Sequence, residues 1–140
     1  MSSFKDTEGR IWTLRLTVAS IRRIKDIAGV DVGDFSVFRE DGPFADLAND
    51  SCKFVEILYA ALKPEAERLG VSLDDFMGAF VADTVATASE AFLEALADFF
   101  QGGRGLLIRR ALETSRKAKR EAETAMQKLA EEDLPFPSGI

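Results

Sequence analysis

Glu90, Glu94 and Asp98 fall at i, i+4 and i+8, so on a helix they form a single line of carboxylates. Such a line is either a metal-binding ridge or the solvated face of a helix whose other side is apolar. Carboxylate ridges that hold metal in helical bundles draw a histidine from a Glu-x-x-His pattern, and this chain has no histidine. The polar face is therefore favoured. Asp74 and Asp75 stand side by side behind Ser72, where helix capping and solvation explain them. A general acid–base pair needs two carboxylates in unlike environments around a cleft. Residues 41–50 have the acidic density of a calcium loop, yet Asp41-Gly42-Pro43-Phe44-Ala45-Asp46 neither alternates oxygen ligands nor closes on a glutamate.

Without histidine, and with Cys52 as the single cysteine, disulfide frameworks, cysteine zinc sites, haem ligation through imidazole and every imidazole-activated nucleophile are excluded. Cys52 lies three residues before Val55 and seven before Tyr59, on an expected apolar face, which predicts a buried structural thiol. Arg109-Arg110 and Arg116-Lys117-x-Lys119-Arg120 form the strongest basic cluster. Nucleic-acid contact through it is disfavoured, because aromatic residues are not interleaved and Glu113, Glu121 and Glu123 are intermixed. No catalytic residue, metal site or cofactor site is expected, so the chain reads as a non-enzyme.

Charge and composition narrow the class further. The chain has 140 residues, 46% of them apolar, and a formal net charge of -6, the mark of a folded soluble protein. The first 103 residues hold ten basic against eighteen acidic side chains, and the remainder eight against six. An acidic body repels phosphate backbones, so a nucleic-acid role would rest on the tail alone. Residues 79–100 are interrupted by Asp83, Glu90, Glu94 and Asp98, and the N-terminus lacks the pattern of a secretory signal. The expectation is a cytoplasmic protein with no membrane span. Eleven phenylalanines against one Trp and one Tyr mostly mark a core, though Phe35, Phe38, Phe44 and Phe136 lie in less regular stretches that could form a groove.

The elements that must position these residues follow from period and punctuation. Phe4-Lys5-Asp6 and the run from Arg10 to Leu16 flank Thr7-Glu8-Gly9, with Trp12, Leu14 and Leu16 on one face. A hairpin is predicted, with Arg10 and Arg15 left in water. Thr17 caps a helix over 18–28 whose stripe is Val18, Ile21, Ile24, Ile27 and Ala28, with Gly29 ending it. Its Arg22, Arg23, Lys25 and Asp26 read as solvated surface. Turn formers dominate 30–50, punctuating short apolar groups such as Phe35, Val37, Phe38, Phe44 and Leu47, and a short helix or two with irregular links is expected there. A helix then starts after Asp50 or Ser51 and runs through Phe54, Val55, Leu58, Tyr59 and Leu62, with Lys63-Pro64 bending or restarting it. Ser72 opens another helix before Phe76 and Phe80. Asp83 or Thr84 opens one to Gln101, carrying Val85, Ala88, Phe92, Leu93, Leu96, Phe99 and Phe100 as the expected centre of the core.

Gly102-Gly103 reads as a flexible break before a last helix from 106 to about 133. In that helix Ile108, Ala111, Ser115, Ala118, Ala122, Ala125 and Leu129 recur at spacings of three and four, a heptad seam of mostly small residues. A seam that buries so little area needs a partner surface, so these seven are the candidate partner-binding residues. Either another protein or a second copy, giving a homo-oligomer, would bury them. The fold class expected is mainly α, a helical bundle with an N-terminal β-hairpin and a long C-terminal helix. Its parts are a body over 1–103, an amphipathic helix over 104–133 and a mobile terminus over 134–140.

The order of features also resembles a known family. Gly9-Arg10-Ile11-Trp12-Thr13-Leu14-Arg15-Leu16-Thr17 leading into Ile21-Arg22-Arg23-Ile24-Lys25, then Gly29-Val30-Asp31, is similar to the N-terminal pattern of tail assembly chaperones of long-tailed bacteriophages and prophages. Leu58-Tyr59 before Lys63-Pro64, Gly70-Val71-Ser72 before Phe76, and the run from Glu90 to Phe100 look like the helical body of that group. The resemblance spans roughly residues 4–100 and leaves the tail uncovered. It implies a small, helical cytoplasmic protein that coats the tape-measure protein, keeps it soluble, recruits tail-tube subunits and is absent from the mature particle. Some members also have a frameshifted, extended form. The function expected is thus a non-enzymatic phage tail assembly chaperone, and the alternative is a small regulatory nucleic-acid-associated module using the basic last helix.

Overall fold

Strict alternation of inward and outward residues makes the first elements a hairpin. Strands β1 (Ser2–Lys5) and β2 (Ile11–Leu14) pair antiparallel with Phe4 opposite Trp12. Ser2, Phe4, Trp12 and Leu14 point inward and are buried, while Ser3, Lys5, Ile11 and Thr13 face out. Gly9 completes the turn at φ 84°, a left-handed conformation that a side chain would strain. Two strands alone would not hold; here β1 lies against the helix spanning 82–100. The computed structural model describes residues 2–34 and 50–131. The stretch expected to hold turns and short helices at 35–49, including Phe35, Phe38 and Phe44, and the terminus with Phe136 lie outside the described residues.

Helix α1 (Val18–Ala28) starts where expected, with Thr17 Oγ1 accepting from the Ser20 N–H at 3.3 Å and Ser20 Oγ accepting from the Thr17 N–H at 3.3 Å. It stops at Gly29, whose N–H donates to the Lys25 carbonyl. Ile21, Ile24 and Ala28 form the face buried against helix α2 (Ser51–Leu69), while Val18 and Ile27, expected in the same stripe, flank that face and are exposed. Asp50 caps α2 through the Lys53 N–H at 3.0 Å, and Gly70 closes it at φ 70°.

Pro64 lies inside a continuous α2, so of the bend or restart expected from sequence the restart does not occur. A proline inside a helix leaves the carbonyl four residues earlier without its donor, and that carbonyl belongs to Ala60. Arg23 of α1 supplies the missing hydrogen bond, its Nε donating to Ala60 O at 3.2 Å and an Nη to Ala61 O at 3.1 Å. Arg23 is thus half-buried and structural rather than part of a solvated face.

Ser72 caps the short helix α3 (Leu73–Met77) through the Asp75 N–H. The helix delivers Phe76, fully buried, into an aromatic cluster: its ring centroid lies 5.2 Å from Trp12, 5.5 Å from Tyr59 and 4.9 Å from Phe80. Helix α4 (Ala82–Phe100) then runs across the molecule with Ala88, Ala91, Phe92, Ala95 and Leu96 inward. It shares the centre of the core with α2, where Ile57, Leu58 and Ala60 are wholly buried and Phe54 meets Phe92 edge-on at 5.7 Å. The last helix, α5 (Gly102–Glu131), begins four residues earlier than its composition predicts, because Gly102 and Gly103 form its first turn. Gln101 alone separates α4 from α5.

Candidate interaction surface

The acidic line on α4 and the basic cluster on α5 meet each other. Arg109 pairs with Asp98, and Arg116 pairs with Glu94 and, at 3.6 Å, with Glu90. The two helices therefore run antiparallel along a clasp that uses all three ridge carboxylates and two of the arginines. Hydrogen bonding to Glu94, against a smaller opposing effect of burial, and the charges of Glu90 and Glu94 hold the Arg116 proton more tightly than usual. These pairs are between a third and a half exposed, so each contributes about 0–1 kcal/mol.

Apolar packing holds only the first third of α5. Gly105, Ile108 and Leu112 are buried. The backbones touch at Gly105, where an added Cβ would stand 2.6 Å from the Ala97 carbonyl oxygen, so only glycine permits this approach. From Glu113 to Glu131 every residue is exposed except Arg116, which is half-buried. The face toward α4 is the series Gly105, Ile108, Leu112, Arg116. At 100° per residue, the stripe Ala111, Ser115, Ala118, Ala122, Ala125 and Leu129 runs about a third of a turn away from it. Six of the seven expected partner-binding residues are thus exposed on one face, and Ile108 belongs to the core instead. Leu107 and Met126, 56% and 70% exposed, widen the apolar character of this outer surface.

Between α4 and the middle of α5 lies a cleft of about 490 Å³ lined by Glu90, Glu113, Arg116, Lys119, Arg120 and Glu123. Its walls are charged with both signs, unlike the apolar lining of small-molecule sites. Among the described residues no cluster of three or more His, Cys, Asp or Glu could hold a metal ion, and no helix is long and apolar enough to cross a membrane.

Cys52 is exposed, which overturns the expectation of a buried thiol. It stands in the first turn of α2, outside the stretch from Phe54 to Leu62 that the neighbouring elements cover.

The other feature unforeseen from sequence is Asp6. Its side chain is fully buried, and the carboxylate accepts four hydrogen bonds: Oδ1 from the Glu8 and Arg10 N–H groups at 3.0 and 2.9 Å, Oδ2 from Arg10 Nε and Trp12 Nε1, both at 2.9 Å. Burial alone would raise its pKa. The bonds from Trp12 and from the backbone and side chain of Arg10, with the Arg10 charge, outweigh burial and hold the carboxyl below its ordinary value. Its acceptor positions are filled, so Asp6 is a rivet across the turn rather than a catalytic base. Arg10, expected in water, is drawn over the Trp12 ring at 6.0 Å. The signal for this network was an Asp followed at i+4 by Arg and at i+6 by Trp around a glycine turn.

The surface that stands out is therefore the outer face of α5, a helix clasped to an acidic body at one end and solvated at the other. Neither a family model, nor a curated protein, nor a solved structure matches the chain.

Proposed function

We propose that the protein is a non-enzymatic assembly chaperone that works through protein contacts, with the outer face of α5 as its contact surface. The observation that carries this reading is the exposure of Ala118, Ala122, Ala125 and Leu129 along a preformed helix on an acidic body. Small residues let a second helix approach closely, and an amphipathic client would bury the stripe at i, i+3, i+4 and i+7 positions. The resemblance of residues 4–100 to phage tail assembly chaperones implies a tape-measure protein, long, helical and apolar, as the client, with tail-tube subunits recruited afterwards. A net charge of -6 keeps such a complex in solution.

The alternative, a nucleic-acid-associated module, rests on the basic cluster of α5. Arg109 and Arg116 already face carboxylates, which leaves Arg110, Lys117, Lys119 and Arg120 for phosphates. Co-expression with the large helical protein encoded nearest to it separates the two. The chaperone is expected to bring that partner into the soluble fraction and co-purify with it at high salt, and Ala118→Glu/Ala122→Glu is expected to abolish the rescue while leaving the chain folded. An absent complex, together with nucleic-acid binding that falls steeply with salt, would replace the leading reading by the alternative.

A further inference from the structure

The connection between α4 and α5 is a single residue in a conformation made for glycine. Gln101 sits at φ 52° and ψ -176°, a region populated essentially by glycine, and Gly102 follows at φ 53°. The reversal is thus strained at a non-glycine residue. What it brings together is the most extensive helix–helix contact among the described residues, yet its apolar part is short: of α5, Ile108 alone joins the apolar core cluster, and the hold includes the contact at Gly105, the burial of Leu112 and the clasp of Arg109 and Arg116 on Asp98, Glu94 and Glu90.

We propose that α5 exchanges between two copies of this chain, each copy's last helix seating on the α4 of the other. Three observations point to a second copy as the occupant. The acidic line of α4 is complementary to Arg109 and Arg116 of any α5 that reaches it, and the same pairs re-form unchanged in trans. The close approach at Ala97 admits only a helix with glycine at the contact, which the second copy carries as Gly105. Release of the reversal removes the Gln101 strain and lets 101–103 continue the helix, so that α4 and α5 join over 82–131 into one rod of about 75 Å. Short strained hinges are the usual origin of such exchange. The outer stripe of α5 stays exposed in the exchanged dimer, so this inference does not depend on the chaperone reading and presents two copies of that face on one particle.

The test compares masses by light scattering, over a concentration series up to the limit of solubility, for the native chain, Gln101→Gly and Gly102→Ala/Gly103→Ala, each refolded at high concentration. Glycine at 101 relieves the strain of the closed form, alanine at 102 strains it at φ 53°, and alanine at both 102 and 103 favours a continuous helix. The native chain is expected to dimerise at the top of the series. Its association constant should fall about tenfold or more in Gln101→Gly and rise by a similar factor in the alanine pair. Independently of any hinge variant, an Asp98→Cys chain co-expressed with an Arg109→Cys chain, both carrying Cys52→Ser, should be joined by a short thiol cross-linker: positions 98 and 109 meet within a closed chain, but two cysteines carried on different chains meet there only across an exchanged pair. Monomers at every concentration for all three chains would overturn the proposal. So would a dimer that lacks the cross-link and is lost in Ala118→Glu/Ala122→Glu, which would place the second copy on the outer face of α5.

Discussion

The hairpin end and the last helix use charge in opposite ways. At the hairpin a single carboxylate, Asp6, is stripped of water and given four donors at 2.9–3.0 Å, with Trp12 locking it to the aromatic cluster around Phe76. At α5, three carboxylates and two arginines meet in half-exposed pairs over a thin apolar contact. The first arrangement fixes one geometry, because removing any partner leaves a buried polar group unsatisfied. The second can be loosened, exchanged or screened with little loss. The contrast is between a carboxylate fixed by direct donors and charged pairs that stay open to salt.

The largest effect is expected at the rivet. Asp6→Ala would leave Trp12 Nε1, Arg10 Nε and two backbone N–H groups without acceptors, at a cost of about 3–5 kcal/mol, visible as a lower urea midpoint with an unchanged slope. The pH dependence has a definite sign. Because the folded carboxyl lies below its unfolded value of about 3.9, Asp6 stabilises the fold at neutral pH, and that contribution is lost as pH falls from about 4 through the folded value. Wild-type stability should drop in that acid window, with Asp6→Ala showing a shallower drop. Parallel pH profiles would mean that Asp6 is not held as its hydrogen bonds indicate.

A middle-sized effect is expected where α1 meets α2. Arg23→Met should cost about 1–3 kcal/mol by orphaning the Ala60 carbonyl. In a Pro64→Ala background residue 64 regains its N–H and can serve that carbonyl itself, so the cost of Arg23→Met should shrink. The double-mutant cycle therefore has a sign as well as a size. Additive costs would show that Arg23 acts through something other than the proline gap.

Local signals carried most of the fold. Thr17, Asp50 and Ser72 as caps, and Gly29 as a stop, are short-range chemistry, and each lies where the spacing put it. Apart from the turn network of Asp6 and the helical Gly102-Gly103, the misses are mostly long-range. Pro64 reads as a bend or restart until Arg23, 41 positions earlier, is known to lie over Ala60. The Glu90, Glu94 and Asp98 line and the Arg109–Arg120 cluster were each legible as charged faces, but only the sharp reversal at Gln101 sets them against each other. Cys52 has the right angular position to be buried and the wrong axial one, since periodicity reports a helix face and not how far the neighbouring elements extend. The stripe on α5 was visible in the sequence, but which of its members packs on the body was not: Ile108 satisfies both the heptad spacing and the face toward α4.

The smallest effect is expected in the clasp, and it sharpens the contrast most. Glu90→Gln/Glu94→Gln/Asp98→Asn removes every carboxylate that faces Arg109 and Arg116 yet keeps the size of each side chain. The pairs are a third to a half exposed, so the loss in stability at low salt should be about 0–1 kcal/mol for each pair removed. It should vanish as salt screens the pairs in the wild type. The Asp6→Ala deficit should persist across the same salt series, since a buried carboxylate with four direct donors is screened little. A large, salt-independent loss in the triple variant would mean that the α4–α5 contact is a true extension of the core, and would remove the physical basis for treating α5 as a helix that can leave its own body.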